Sequence, residues 1–363
     1  MAKGKPMNGR NQREFLLAIL IVANASAQQP VMRAHFVPVG QAHATLLEFS
    51  CGAMLIDAGA QDEETKGQLL DYLDRFFVNR PDLHRTLDLI LITHNHIDHT
   101  YGLRGIAEHN IRIKTYVDSG QRSGRGTEGP NWIRANARSG GRNIKLREVT
   151  VAEITAQASA HHTGLTDSAI DPIACGSEDP QISVLWGRLD KRPAGWSKSA
   201  FENKNNHSLV TRVRFGSASF LFMGDLEPEG ISSLLELFPG NGSVLDADVY
   251  QVGHHGSDNA TTEPLLRAVT PRIAIIPVGN WDSGKGTRDR FTTFAYGHPR
   301  KAAIDLLNAA IKESRSEPAT VMAATGPRTF SPLLVRKRIY ATSWDGAVTV
   351  RATSDAQYRV TRE

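Results

Sequence analysis

The chain has 363 residues, with 42 Lys and Arg against 38 Asp and Glu, a formal net charge of +4. Apolar residues make up 40% of it and only 2 are Cys, which excludes a collagen, a disulfide-stapled miniprotein, a Cys-rich metal site and wholesale disorder. The pI of about 9.1 invites a nucleic-acid reading, and that reading depends on where the charges lie.

The N-terminus carries Lys3, Lys5, Arg10 and Arg13, then the apolar run Phe15–Ala23, then Ala25-Ser26-Ala27. A basic stretch, a short apolar stretch and a small-x-small exit predict a secretory leader over residues 1–27. The apolar run is too short to cross a bilayer as a helix. Removing residues 1–27 from 363 leaves 336 and takes away four basic groups and one acidic group. The balance falls to 38 against 37, so most of the apparent basicity belongs to the leader. No later segment is apolar for long enough to span, which predicts a periplasmic or secreted bacterial protein without stable membrane insertion. An oxidising compartment permits a Cys51–Cys175 disulfide, but two separate buried thiols are the expectation here.

After the leader, Val31–Val37, Ala44–Phe49 and Ala53–Ile56 read as strands, the last ending at Asp57-Ala58-Gly59. Leu69–Phe77 reads as an amphipathic helix with Leu69, Leu70, Leu73 and Phe76 on one stripe. Leu87–Ile92 is a nearly continuous apolar strand of the kind buried on both faces. Residues 119–141 read as a surface excursion. Further strands are predicted at 181–185, 208–213, 219–223, 247–252 and 272–278, and helices at 229–238, 262–268 and 301–313. The mixture predicts one α/β layered domain over residues 31–350, followed by a tail at 351–363.

The chemistry begins where Leu87–Ile92 ends. Thr93-His94-Asn95-His96-Ile97-Asp98-His99 puts three imidazoles and a carboxylate within six residues. Such donors suit zinc, with manganese and iron as alternatives. Asp225 follows the strand 219–223, and His254-His255 follow the strand 247–252. Of that pair, His254 is the expected ligand because it comes first; His255 is expected either to support the ligands from behind or to face substrate.

THNHIDH resembles the HxHxDH signature of the metallo-beta-lactamase superfamily. The segments GDL, HHGS, AYGHP and NNHSLV are similar to those of the ComEC-related members, and VPVGQAHATLL resembles that group's VGQGD opening. The resemblance covers roughly residues 33–350. It implies a four-layer αββα sandwich holding two divalent metals. His94 and His96 would hold the first. Asp98, His99 and His254 would hold the second, with Asp225 bridging. His207 is the candidate to complete the first site, with His161 and His162 as a second option. Asn206 and Tyr296 are expected to line the substrate site. Ala42-His43 stands where the group has Gly-Asp; His43 either lines the cleft or the turn simply tolerates it.

Two such metals would present hydroxide at neutral pH. Asp98 would orient the water, and His298 would be the acid for the leaving group or a phosphate contact. The expected enzyme is an exported hydrolase of the phosphodiesterase or nuclease type. A lactone, ester or β-lactam hydrolase and a non-catalytic binding module are the alternatives. Residues 104–149 hold ten basic and four acidic residues, a local +6. Arg122, Arg125, Arg134 and Arg138 are the candidate contacts to a phosphate backbone, and Lys285, Arg288, Arg290, Arg300 and Lys301 with Trp281 form a second patch. DNA is therefore the candidate polymeric partner.

Overall fold

The computed structural model describes residues 1–2, 4, 29–176, 178–240, 244–286 and 292–363. The predicted leader lies almost wholly outside the described residues, as do Arg288 and Arg290. Among the described residues the strands are, in order, β1 Val31–Phe36, β2 Thr45–Glu48, β3 Ala53–Ile56, β4 Thr86–Leu91, β5 Arg112–Asp118, β6 Lys145–Glu148, β7 Pro180–Trp186 and β8 Val210–Phe215. They continue as β9 Ala218–Phe222, β10 Val249–Gln251, β11 Ile273–Ile276, β12 Ser314–Gly326, β13 Thr329–Lys337, β14 Ile339–Ala341, β15 Val348–Thr353 and β16 Tyr358–Arg362.

Two large sheets result. The first runs β16-β15-β1-β2-β3-β4-β5-β6 and the second runs β14-β11-β10-β9-β8-β7. β3, β4, β5 and β6 pair in parallel, and so do β9, β10, β11 and β14. The remaining pairs are antiparallel.

Alternation along each strand decides the layering. Met54, Leu89 and Leu91 meet Phe220, Phe222 and Val249 between the sheets. The Phe36 and Phe222 rings, from opposite sheets, stack at 6.5 Å. Leu46, Leu55 and Ile90 point the other way, onto Leu69 and Leu73 of the helix Glu63–Asn79. That helix starts at a capping box, in which Thr65 N donates to Asp62 Oδ1 (2.9 Å) and Asp62 N donates to Thr65 Oγ1 (3.0 Å). Helices Pro228–Leu237, Glu263–Val269 and Lys301–Ala310 pack on the second sheet through Ile231, Leu234, Leu265, Ile304 and Leu307. The architecture is the expected α/β four-layer αββα sandwich. Burying each such Leu or Ile contributes about 1.5–3 kcal/mol, so the layers hold the strand ends rigidly.

Three expectations change. Residues 351–363 are no tail: β15 pairs with both β1 and β16, and β16 forms the edge of the first sheet. The excursion 119–141 contains a helix, Glu128–Asn136, which buries Ile133. Cys51 and Cys175 are joined, with Cα atoms 5.5 Å apart across a separation of 124 residues. The bond ties the β2–β3 turn to the segment leading into β7. Among the described residues no helix is long and apolar enough to cross a membrane.

Candidate metal centre

Four loops converge at one edge of the sandwich. They follow β3, β4, β9 and β10, and the β1–β2 connection joins them. Backbone hydrogen bonds lace them together. His43 N donates to Asp98 O (2.9 Å), Gly59 N to His43 O (2.7 Å) and Ala58 N to His99 O (2.9 Å). The approach is so close that a Cβ on Gly59 would lie 1.7 Å from Asp98 O, so only glycine fits. Beyond β10 the chain turns sharply. His254 and His255 both adopt the left-handed region, with φ of 48° and 53°, and so present both rings to the same edge.

The Asp225 carboxylate is the hub. Its Oδ2 lies 3.2 Å from His99 Nε2, 3.7 Å from His255 Nε2, 3.9 Å from His254 Nε2 and 4.0 Å from His94 Nε2. His255 Nε2 is also 3.2 Å from Asp98 Oδ2. His96 Nδ1 sits 3.0 Å from His94 Nε2. Two nitrogens on one tetrahedral zinc lie roughly 3.3 Å apart, so this pair suits a shared ion.

The far nitrogens of the rings are held in a way that frees these near ones. His99 Nδ1 donates to Asp57 Oδ2 (2.7 Å), and His255 Nδ1 donates to Pro277 O (2.9 Å). His254 Nδ1 donates to Asn259 Oδ1 (3.1 Å). Thr93 Oγ1 donates to Asp57 Oδ2 (2.9 Å) and so can accept from His94 Nδ1 (3.2 Å). Ring N–H groups fixed on acceptors behind them leave Nε2 lone pairs pointing forward, the arrangement of metal-ligating histidines.

Two atoms at the hub are fully buried and lack a hydrogen-bond partner, His43 Nε2 and Asp225 Oδ1, while the buried His99 Nε2 meets Asp225 Oδ2 at 3.2 Å. A buried polar atom left unpaired costs about 1–3 kcal/mol. A group of His43, His99, Asp225 and His255 has its donor atoms within 4.8 Å of one another. The residues therefore fit divalent cations.

Electrostatics agree. Burial holds His43 and His94 well below the usual imidazole range, and lowers His96 too. Burial also pulls on His99, but the Asp225 and Asp57 carboxylates outweigh it and carry this ring well above that range. His255 is raised by Asp225 and Asp98 against the same burial. Burial opposes ionisation of Asp225, yet His99, His255 and His254 hold its carboxyl well below the usual range. The carboxylates demand positive charge in this volume, which imidazolium protons or a divalent cation can supply.

The structure brings His94, His96, Asp98, His99, Asp225, His254 and His255 together. His255, expected behind the ligands or facing substrate, is the one against Asp98. His207 is elsewhere: its Nδ1 accepts from Leu189 N (3.1 Å) and its Nε2 donates to Phe201 O (2.7 Å), so neither nitrogen is available to an ion. Asn206 is likewise spent within the fold, its Nδ2 on Ala200 O (3.0 Å) and its Oδ1 accepting from Glu227 N (3.3 Å). The segment 204–207 winds into a tight turn that points these side chains inward. His161 and His162 end the helix Val151–His161 and are exposed.

His298 lies at the centre's margin, its ring 5.5 Å from that of His254, and its Nδ1 is 3.0 Å from Gln41 Nε2. Tyr296 stacks on His298 at 5.9 Å and is part-exposed.

The basic segment is less free than its sum implies. Arg134 pairs with the buried Asp118, and Arg122 with Glu148. Lys114 pairs with Asp88 (2.6 Å) and Arg147 with Asp167 (2.9 Å), acids that lie outside residues 104–149. Arg125 and Arg138 remain exposed. Lys285 sits over the Trp281 ring at 5.2 Å.

Asp57, Gln41 and Gln251 were not among the predicted site residues. The signal for Asp57 was its place directly after a buried strand. Gln41 lies inside the VGQ segment, and Gln251 has no signal beyond its place just before HHGS.

Sandwich and donor set together define a hydrolase-type metal scaffold. The chain belongs to the metallo-beta-lactamase superfamily, whose model matches residues 37–279. It is 37% identical over 105 residues to ComE operon protein 3 of Bacillus subtilis, covering 29% of this chain and 12% of that one. It is 33% identical over 105 residues to competence protein ComA of Neisseria gonorrhoeae, covering 29% and 13%. The match thus spans about an eighth of those relatives' length. Among solved structures, it aligns with a diphosphatase from the PhnP family (TM-score 0.35, 10% identity, 68% of this chain and 85% of that one). It also aligns with the short form of human tRNase Z (TM-score 0.32, 19% identity, 60% and 76%).

Proposed function

We propose that the protein is an exported, binuclear metal-dependent phosphodiesterase. The observation that carries the reading is the convergence of the His43, His94, His96, His99, His254 and His255 rings with the Asp98 and Asp225 carboxylates on one buried volume, with His43 Nε2 and Asp225 Oδ1 unpaired.

His94 Nε2 and His96 Nδ1 would hold one ion. Asp98, His99 Nε2 and His255 Nε2 would hold the second, with Asp225 between them and His254 beside it. Zinc suits this nitrogen-rich set, with manganese and iron as alternatives. Such ions, when bound, activate water and draw charge from substrate oxygens.

The chain's own residues do the rest. Asp57 and Pro277 O fix the His99 and His255 rings from behind, so the donors are in place before substrate arrives. Asp98 Oδ2, facing His255, is the carboxylate that orients the attacking water or takes its proton. His298 stands at the margin with Nδ1 held by Gln41. Burial pulls it well below the usual imidazole range, and a neutral ring with Nδ1 accepting from Gln41 has Nε2–H to donate as a hydrogen bond to a phosphoryl or leaving oxygen, not a proton to transfer. Tyr296, stacked on that ring, offers a face to a ring of the substrate.

Two lines favour phosphodiesters and, among them, DNA. One of the relatives, ComA of Neisseria gonorrhoeae, is named for competence. Arg125 and Arg138 stay exposed on the segment that follows the metal loop. The predicted leader and the Cys51–Cys175 bond support export to an oxidising compartment.

The test is a substrate panel on zinc- or manganese-loaded mature protein: bis-p-nitrophenyl phosphate, single- and double-stranded DNA, a lactone and nitrocefin. Phosphodiester turnover that vanishes in His96→Ala and Asp225→Ala is expected. Turnover of only the lactone or nitrocefin would replace this reading.

A further inference from the structure

The β1–β2 connection carries His43 into the middle of the donor cluster. Its ring lies 4.6 Å from the His99 ring and 4.6 Å from the His255 ring, and the side chain is fully buried. Its Nε2 is 3.9 Å from Asp225 Oδ1, and both of these atoms lack a hydrogen-bond partner. That distance is too long for a hydrogen bond. It does suit one shared ion, since two ligands each about 2.1 Å from a zinc lie at most about 4.2 Å apart.

The other side of the ring supports the same role. The Gln251 side-chain amide contacts His43 Nδ1, and the Gln251 Oε1 atom is itself buried and unpaired. Amide oxygen and nitrogen are exchangeable in such an assignment. Turned over, Gln251 Oε1 accepts from Nδ1–H, and the Asp57 carboxylate 4.0 Å from Nδ1 favours the proton there as well. Nε2 is then a free lone pair aimed at Asp225. A ring N–H held by an amide oxygen or a carboxylate behind it is the setting of a ligating histidine.

We infer that His43 is an additional metal ligand, binding a divalent cation through Nε2 together with His99, His255 and Asp225. The inference rests on the metal-centre reading above. It gives this chain a neutral nitrogen donor where the related group's opening motif has a carboxylate. The consequence is a less anionic, more nitrogen-rich site, which selects zinc over manganese.

Metal binding tests it without reference to turnover. Mature wild type, His43→Asn and His43→Asp are stripped and titrated with zinc and with manganese against a chromophoric chelator, and cobalt(II) absorption is recorded. Wild type is expected to bind two zinc ions per chain. His43→Asn should bind one of them at least tenfold more weakly and shift the cobalt band. His43→Asp should keep both ions and move the zinc-to-manganese preference at least tenfold towards manganese. If His43→Asn does not fold, His43→Asp alone decides through that preference. Two zinc ions in wild type, with affinities, cobalt band and preference unchanged in the variants that fold, would overturn the His43 assignment and leave the metallohydrolase reading intact. No zinc bound by wild type would remove both.

Discussion

Asp57 Oδ2 accepts a 2.7 Å hydrogen bond from His99 Nδ1, and Thr93 N holds the other carboxylate oxygen at 2.7 Å. One buried carboxylate thereby sets the ring orientation of a metal-loop histidine and pins the start of that loop. Asp57→Asn would keep the shape and lose the strong acceptor. Its expected effect is a 10–100-fold loss of affinity for the ion held by His99. Chelator competition reads this directly, and an affinity within twofold of wild type would contradict it.

Gly59 is a second point of control. With its Cβ position 1.7 Å from Asp98 O, Gly59→Ala must push the metal loop away from the β3 end. The expected cost is about 3 kcal/mol in denaturant unfolding, with loss of bound metal. A variant as stable as wild type with full metal content would show that the backbones are less tightly apposed.

His207 gives the opposite pattern. Both nitrogens serve backbone groups, so His207→Ala should cost about 1–3 kcal/mol of stability. Metal stoichiometry should stay the same. Loss of one ion in a folded His207→Ala protein would restore it as a ligand.

The strand-end carboxylates and imidazoles were legible in the sequence because each follows a buried apolar run, β4, β9 or β10, that fixes where the loop begins. The order of His254 and His255 was not. Both sit at left-handed φ, and that turn is set by packing, so position in the chain does not say which ring meets Asp98. His207 shows the same limit from the other side: a histidine in the right segment can still point into the fold. β16 was missed because an edge strand reading YRVTR lacks an apolar run. The helix Val151–His161 was missed because its Ala, Thr and Ser content leaves a weak apolar stripe.

The disulfide was permitted by the sequence but not expected, because nothing in the chain says that two cysteines 124 residues apart meet. A loop of that length gives a chain-entropy contribution of about 4–5 kcal/mol. Reduction, or Cys51→Ser with Cys175→Ser, should lower the unfolding free energy by up to that amount. Identical denaturation midpoints with and without reductant would contradict it.

Acid should weaken the first sheet at Glu48. Burial pushes its carboxyl up, but His35, Arg33 and Arg80 outweigh that and bring it from 4.5 down to about 2. The folded value is the lower one, so its contribution is present above about pH 4.5 and lost as pH falls towards 2. Glu48→Gln should flatten the stability profile over that window. An unaltered profile would remove Glu48 from the account.

The most direct test is the metal content of the mature protein after zinc loading and gel filtration, measured beside Asp225→Asn. The account predicts two zinc ions per chain in wild type and loss of at least one in the variant. Wild type that retains no zinc, or an Asp225→Asn protein that retains both ions, would contradict it.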